Sequence, residues 1–350
     1  MRSKLAWCFA APIVGAALLE LTVAALDLAP PRVAPLRVWN EERDEELHDG
    51  ASHFRFHPRW LWEPRPGALV HDEKINDDGY RGPRLERGRS PRLRIAVLGE
   101  SATFGMGMAE RDTWPRKLET LLRARGQDVE LMNFGVTAFT VVQGRELYVG
   151  RVRAYEPDVV LACFGGVNET QQAPGGMTDA RKIEVLSGFA YRARVFFERF
   201  GSVRWLASLG ERAPTVVAAP AAADSVRVPL DEYRSTIARL GDDVARDGAA
   251  LVIVLQSFSA DGLARRPAIH AYRAALKELA RERELPLADL TLVLDATGVA
   301  SADDAVEAAP ATVSPYFDAW HPNEHGHALI AETVADLLAS SRVLEVARRQ

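Results

Sequence analysis

Only two cysteines, Cys8 and Cys163, occur in 350 residues, and the first lies in an apolar segment. A disulfide framework of the kind that staples small secreted domains is therefore excluded. No long basic run is present either. The net charge is -5, with acids and bases interspersed, so the electrostatic footprint of a nucleic-acid binder is missing. The stretch GESATFGMG, residues 99–107, lacks the Lys-Ser/Thr ending of a phosphate loop, and GESAT is not the G-x-S-x-G nucleophile elbow. The HExxH spacing of zinc hydrolases is absent from the histidine-rich segment near the C-terminus. No internal repeat or low-complexity tract stands out.

One long apolar run is present, at the N-terminus. After Arg2 and Lys4 comes LAWCFAAPIVGAALLELTVAALDL, long enough to cross a bilayer at ~1.5 Å per residue. Residues 1–28 are expected to form an uncleaved transmembrane anchor; a cleaved signal peptide, which would have a shorter apolar region and an A-x-A site, is the alternative. The basic start and the acidic stretch EERDEELHD after the run place the N-terminus in the cytoplasm and the rest outside, periplasmic or at the cell surface. Glu20 interrupts the run, either pairing with another subunit's helix or lying near the interface. Residues 29–92, rich in Pro, Arg, Trp and acids, read as a stalk and an arm packing on the main domain.

From Leu93 the texture changes. LRIAVL, VELMNFG, VVLACFGG and ALVIVLQS are short apolar runs ending in small or polar residues. Between them lie helical stretches such as TWPRKLETLLRARG, with Pro115 placed for a first turn, RELYVGRVRAY and YRAALKELARERE. This alternation predicts a mainly parallel sheet covered by helices on both faces over residues 93–345. Functional groups gather at the carboxyl ends of such strands. Between about 171 and 230 the rhythm lapses into a helical insert rich in aromatics, including Phe189, Tyr191, Phe196, Phe197, Phe200 and Trp205. An aromatic stripe of this kind is expected to be core; the other readings are a lid or a face resting on a membrane.

FDAWHPNEHGH, residues 317–327, crowds three of the chain's eight histidines into seven positions. A metal site would need Asp318, His321, His325 and His327 to converge, yet on a helix His325 and His327 point to different faces. Asn323 is a good helix N-cap ahead of HALIAETVADLLASS, which accounts for the helix but not for the Asp318-x-x-His321-Pro before it. A dyad accounts for both: Asp318 orients the His321 ring, and the ring takes a proton from a nucleophile elsewhere. The best candidate is Ser101, at the end of the first strand, where backbone dipoles meet a developing anion. Two further strand ends supply hydrogen-bond donors. The Gly135 backbone N–H can approach a substrate closely, and Asn168 offers a neutral amide suited to an oxyanion.

Ser101 in GES, Gly135 in NFG, Asn168 in GVN and His321 in DAWHP stand in an order that resembles the SGNH hydrolase superfamily, the GDSL-type lipases and esterases. INDDGYRGP, the LGES strand and the DTWPRKLE helix resemble a membrane-anchored bacterial subgroup of it. The chain departs from the usual pattern in having Glu100 where Asp is common and Glu169 where Asp often follows the asparagine. The resemblance implies a three-layer α/β/α sandwich of flavodoxin-like type and an ester hydrolase with no cofactor and no metal. Ser101, His321 and Asp318 would form the triad, and the Ser101 and Gly135 N–H groups with the Asn168 side chain the oxyanion hole. The expected substrate is an ester, of an acylated carbohydrate or a lipid. An O-acyltransferase to polysaccharide and a non-catalytic envelope binding module remain the alternatives.

Overall fold

The computed structural model describes residues 2–30, 38–40, 45–47, 53–71, 73–173, 176–209, 225–297, 314–341 and 343–347. Most of the expected stalk and the middle of the insert, residues 210–224, lie outside the described residues.

Five parallel strands make the central sheet: β1 (Leu93–Gly99), β2 (Val129–Gly135), β3 (Val159–Cys163), β4 (Ala250–Leu255) and β5 (Leu287–Asp289), in the spatial order β5-β4-β3-β1-β2. A parallel sheet is buried on both faces, which is why β1 to β4 read as mostly apolar runs, interrupted by Arg94 in β1 and by Glu130 and Asn133 in β2. Side chains still alternate between the two faces. Ile95, Val97, Leu131 and Leu161 pack with α3 (Trp114–Ala124) and α12 (Glu324–Ser340), through Trp114, Leu118, Leu122, Ile330, Val334 and Leu338. Ala96, Leu98, Met132 and Val160 point the other way, toward α4 (Val141–Gly150), α8 (Leu230–Arg246) and α10 (Ile269–Glu282). The three layers follow directly.

Chain order reverses across β1, with β2 on one side and β3 on the other. A crevice opens at such a switch point beyond the carboxyl ends of the strands. The register sets Gly99, Gly135 and Cys163 abreast there, so the segments carrying Ser101 and Asn168 emerge side by side. Helix α2 (Ser101–Phe104) follows β1 at once. Helix α12 begins where expected: the Asn323 side chain accepts the Gly326 N–H at 3.0 Å.

Before the sheet, an antiparallel hairpin (Phe54–His57 with Leu61–Pro64) and a second, shorter one (Leu69–Val70 with Glu73–Lys74) form the arm. Its Trp60, Trp62, Ile75 and Tyr80 belong to the same buried cluster as the α4 side of the sheet. The insert is helical as expected, but broken at Gly188 and again across residues 198–200 into α5 (Asp179–Ser187), α6 (Phe189–Phe197) and α7 (Gly201–Leu209). Of its aromatics, Tyr191 packs against the core beside Phe56 as expected, but the four phenylalanines do not. Phe189 is 86% exposed, and Phe196, Phe197 and Phe200 are exposed as well.

The N-terminal run forms one helix, α1 (Arg2–Ala25), which continues through Pro12. Among the described residues, no helix is long and apolar enough to cross a membrane; the side chains of residues 2–11 lie outside them. Glu20 finds its partners within its own chain, not on another subunit's helix. Its carboxylate accepts the Gly201 N–H at 2.6 Å, the Ser202 N–H at 2.8 Å and the Ser202 hydroxyl at 2.6 Å, capping α7 of its own chain.

Candidate active site

Asp318 and the three residues after it fold into one hydrogen-bonded unit. One carboxylate oxygen accepts the backbone N–H groups of Trp320 (2.8 Å) and His321 (2.7 Å), folding the segment into an Asx turn. The other oxygen is left to face the ring, and His321 Nδ1 lies 2.7 Å from it. Burial would raise the Asp318 pKa, but the hydrogen bond from His321, its charge and the two backbone N–H groups outweigh burial and hold it below the ordinary carboxylate range. An ionised Asp318 keeps the proton on Nδ1, so Nε2 presents its lone pair. Across 220 residues, Nε2 meets Ser101 Oγ at 2.9 Å. The ring is buried, while Ser101 is partly open to solvent. The Phe317 ring stacks on His321, with centroids 5.6 Å apart and planes within 15°.

The GDSL-like lipase/acylhydrolase family matches this sequence over residues 97–329. The chain belongs to that family. It is a hydrolase acting on esters. Similar solved structures include a lipolytic protein of the G-D-S-L family from Desulfitobacterium hafniense (15% identity, 71% of this chain and 100% of that one, TM-score 0.44). Others are the lipase/acylhydrolase from Enterococcus faecalis (14%, 71% and 96%, TM-score 0.45) and the acetylxylan esterase Axe2 from Geobacillus stearothermophilus (15%, 70% and 94%, TM-score 0.45). Among curated proteins none matches.

The GDSL-family site is less simple around Gly135 and Asn168. The Gly135 N–H, expected to face the substrate, donates instead to Asn133 Oδ1 at 3.0 Å. A Cβ at Gly135 would lie 2.6 Å from the carbonyl carbon of Thr103 and closer still to the Phe104 nitrogen. Glycine is required there so that β2 can touch α2. Three residues on, Ala138 holds a left-handed φ of 59°, and its N–H has no hydrogen-bond partner among the described residues. The Ser101 N–H, first in its helix, has none either. Both protons of the Asn168 amide are already engaged, by the Glu100 carboxyl and by the Phe139 carbonyl at 2.9 Å.

Glu100 and Glu169, the two departures from the family pattern, are buried beside that amide. Burial first, and then the charge of Glu169, push the Glu100 pKa well up. Glu169 is pushed up to about 7 by burial, against the Val141 N–H it accepts at 2.8 Å and the Arg227 guanidinium. Arg227, arriving from the far end of the insert, donates to Asp179 (2.7 Å), Gln143 (3.0 Å) and Gln171 (3.0 Å), and lies over the Trp62 ring. Gln143 in turn donates to the Trp60 carbonyl at 3.0 Å. Arm, insert and the surroundings of Asn168 thus share one buried polar network. Only a glutamate at each departure could have pointed to it; Arg227 gives no sequence signal.

His325 is exposed, and His327 is fully buried on the other face of α12. His327 Nδ1 accepts the Trp114 N–H at 3.0 Å, satisfying one orphan donor at the start of α3. Cys163 is buried in the α3 side of the core, its thiol pushed up to about 12 by burial. Among the described residues, no three His, Cys, Asp or Glu side chains are placed to hold a metal.

Proposed function

We propose that this hydrolase works through an acyl-enzyme on Ser101. Its hydroxyl attacks the ester carbonyl carbon while its proton passes to His321 Nε2, and the resulting imidazolium is stabilised by Asp318. As the tetrahedral intermediate collapses, the carbon–oxygen bond of the ester breaks and the alcohol leaves with that proton. Water then repeats the sequence, with His321 as base, and frees Ser101 and the acid. The observation that carries this reading is the continuous chain from Asp318 through His321 to Ser101, at 2.7 and 2.9 Å. For the oxyanion, the uncommitted Ser101 and Ala138 N–H groups are the donors at hand, with Asn168 beside them once the substrate oxygen competes for one of its amide protons. The Gly135 N–H is given to Asn133 and has no part in it.

The substrate class we assign is a small acyl ester, O-acetyl groups on envelope carbohydrate. The half-exposed Phe317 ring over His321 supports this, since an aromatic face beside the base suits a sugar ring. We also place the protein on a membrane, with the catalytic domain outside the cytoplasm. Residues 12–18 of α1 are exposed all round and almost wholly apolar; such a helix needs an apolar environment on every side, which a bilayer supplies and a single protein face does not. The exposed Phe196, Phe197 and Phe200 of the insert, whose helix α7 is tied to α1 through Glu20, continue that surface. The test is a panel of acetylated sugars and p-nitrophenyl esters, with Ser101→Ala as control, together with fluorophosphonate labelling. Labelling and turnover that survive in Ser101→Ala would end the acyl-enzyme reading, and release of the protein from membranes by salt alone would end the anchor.

A further inference from the structure

The segment INDDGYRGP, residues 75–83, is built around one side chain. Asn76 Oδ1 accepts the Asp78 and Tyr80 N–H groups, and its amide donates to the Gly82 carbonyl at 3.1 Å. Gly79 and Gly82 take left-handed φ values of 79° and 99°, and Tyr80 is buried. The result is that Arg81 lies antiparallel against Asn133 of β2, with its guanidinium driven into the protein. That side chain is 2% exposed. Nη1 donates to the carbonyls of Phe104 (2.8 Å) and Gly105 (2.9 Å), and Nη2 to the carbonyl of Met108 (3.0 Å). Glu73 balances the charge from 3.5 Å.

Those carbonyls belong to the turn that carries Ser101. A helix of four residues does not hold itself, because fixing a single turn costs more than its few hydrogen bonds return. Helix α2 closes on itself through Phe104 N–H to Glu100 and Gly105 N–H to Ser101. Its outer carbonyls are held from elsewhere: Thr103 by the Asn133 amide at 2.9 Å, Phe104 and Gly105 by Arg81. The same guanidinium reaches the base by a second route. Through Met108 it fixes the loop 105–108, and Gly107 of that loop lies so close to Phe317 that a Cβ would stand 2.9 Å from the ring. The Phe317 ring is the one stacked on His321.

We propose that Arg81 is a positioning residue of the catalytic dyad: its planar fork, gripping three carbonyls on two sides of the turn, holds Ser101 within reach of His321. The inference rests on Ser101 being the nucleophile. A lysine cannot replace the fork, since an ammonium is a point charge without its planar geometry. Displacement of the turn by about 1 Å costs turnover on the order of a hundredfold, without touching the substrate.

The experiment compares the full-length wild type, Arg81→Lys and Arg81→Ala in three measurements: kcat and KM for p-nitrophenyl acetate, the rate of fluorophosphonate labelling, and the urea midpoint. Both variants are expected to lose kcat and labelling rate by roughly a hundredfold at unchanged KM. Added guanidinium ion should restore part of the loss in Arg81→Ala and none in Arg81→Lys, whose side chain fills the space. Wild-type kcat and labelling in either folded variant overturns the proposal. Where Arg81→Ala does not fold, Arg81→Lys decides: a kcat loss at the wild-type urea midpoint supports positioning, and a loss that only follows the unfolded fraction overturns it. A wild type that fails to label at Ser101 defeats the nucleophile reading itself, a result distinct from labelled wild type with indifferent variants.

Discussion

Replacing Glu169 by Gln should remove a loss of stability that the wild type suffers as pH rises. The carboxyl is buried, one oxygen accepts the Val141 N–H at 2.8 Å, and the other has no hydrogen-bond partner among the described residues. Burial moves its pKa from the ordinary 4.5 to about 7. Between those values the folded chain holds a proton that the unfolded chain has released, so stability falls as pH rises through this window. At ~1.4 kcal/mol per pH unit the whole fall is worth about 3 kcal/mol. Glutamine keeps the acceptor for Val141 but cannot ionise; its new NH2, where no partner waits, costs roughly 1–3 kcal/mol at every pH. The decisive quantity is therefore the variant-minus-wild-type difference at pH 8 less the same difference at pH 5, in which that constant cost cancels. Urea unfolding at the two pH values should give about 2–3 kcal/mol in favour of the variant, since part of the fall has already occurred by pH 5. The neighbouring Glu100 reinforces the sign, because removing the Glu169 charge eases its own ionisation. A variant that loses stability between pH 5 and pH 8 as steeply as the wild type would show that Glu169 is ionised throughout, and the argument from burial would fail.

Gly135→Ala should cost activity by at least a hundredfold and stability by about 1–3 kcal/mol, because the new methyl would enter the backbone of α2; kcat and urea unfolding measure the two. Asn168→Ala should lower kcat by on the order of a hundred- to a thousandfold, and an unchanged kcat would remove the amide from the mechanism. His327→Gln should resist acid better than the wild type. Burial, with the charges of Lys117, Arg81 and His321, pushes the His327 pKa down to about 3. The unfolded chain takes its proton first as pH falls below 6.5, and the wild type loses up to ~1.4 kcal/mol per pH unit from there toward pH 3. Thermal unfolding across that range should show the flatter profile in the variant.

The architecture was legible wherever burial leaves a periodic mark. β1 to β4 announce themselves as apolar runs because helices cover both faces of the sheet; β5, only three residues long, is too short to do so. Asn323 announces α12 because a cap is a local bargain between a side chain and an N–H three residues on. The same locality exposes Asp318 and His321, where the Asx turn and the ring's partner fit inside four residues. The insert illustrates the limit. Apolar aromatics at helical spacing report what a helix is made of and not what lies against it, so Phe196, Phe197 and Phe200 read as core and stand exposed. Glu20 and Arg227 escape for a different reason, since their partners lie 181 and 48 residues or more away in the chain. Arg81 grips only carbonyl groups, which every residue has, and no sequence pattern records that.

Glycine at the end of β2 carries the sharper lesson about reading a site from residue types. A strand-end glycine can mean that something must come close, that φ must be positive, or both. Gly135 answers to the first condition alone: what comes close is not a substrate but the backbone of α2, which the missing Cβ admits. The second condition falls on Ala138, which accepts a left-handed φ of 59° at a cost of about 1 kcal/mol. Strain of this kind survives where the surroundings impose it. Here the flanking residues do so: the Val136 N–H is fixed on Gly99, and the Phe139 carbonyl holds Asn168. The turn between them ties the end of β1 to the end of β3 across the crevice, and a free N–H is left at its strained residue. Close packing thus fixes the place of Ser101, while the strained turn beside it leaves an N–H without a partner among the described residues.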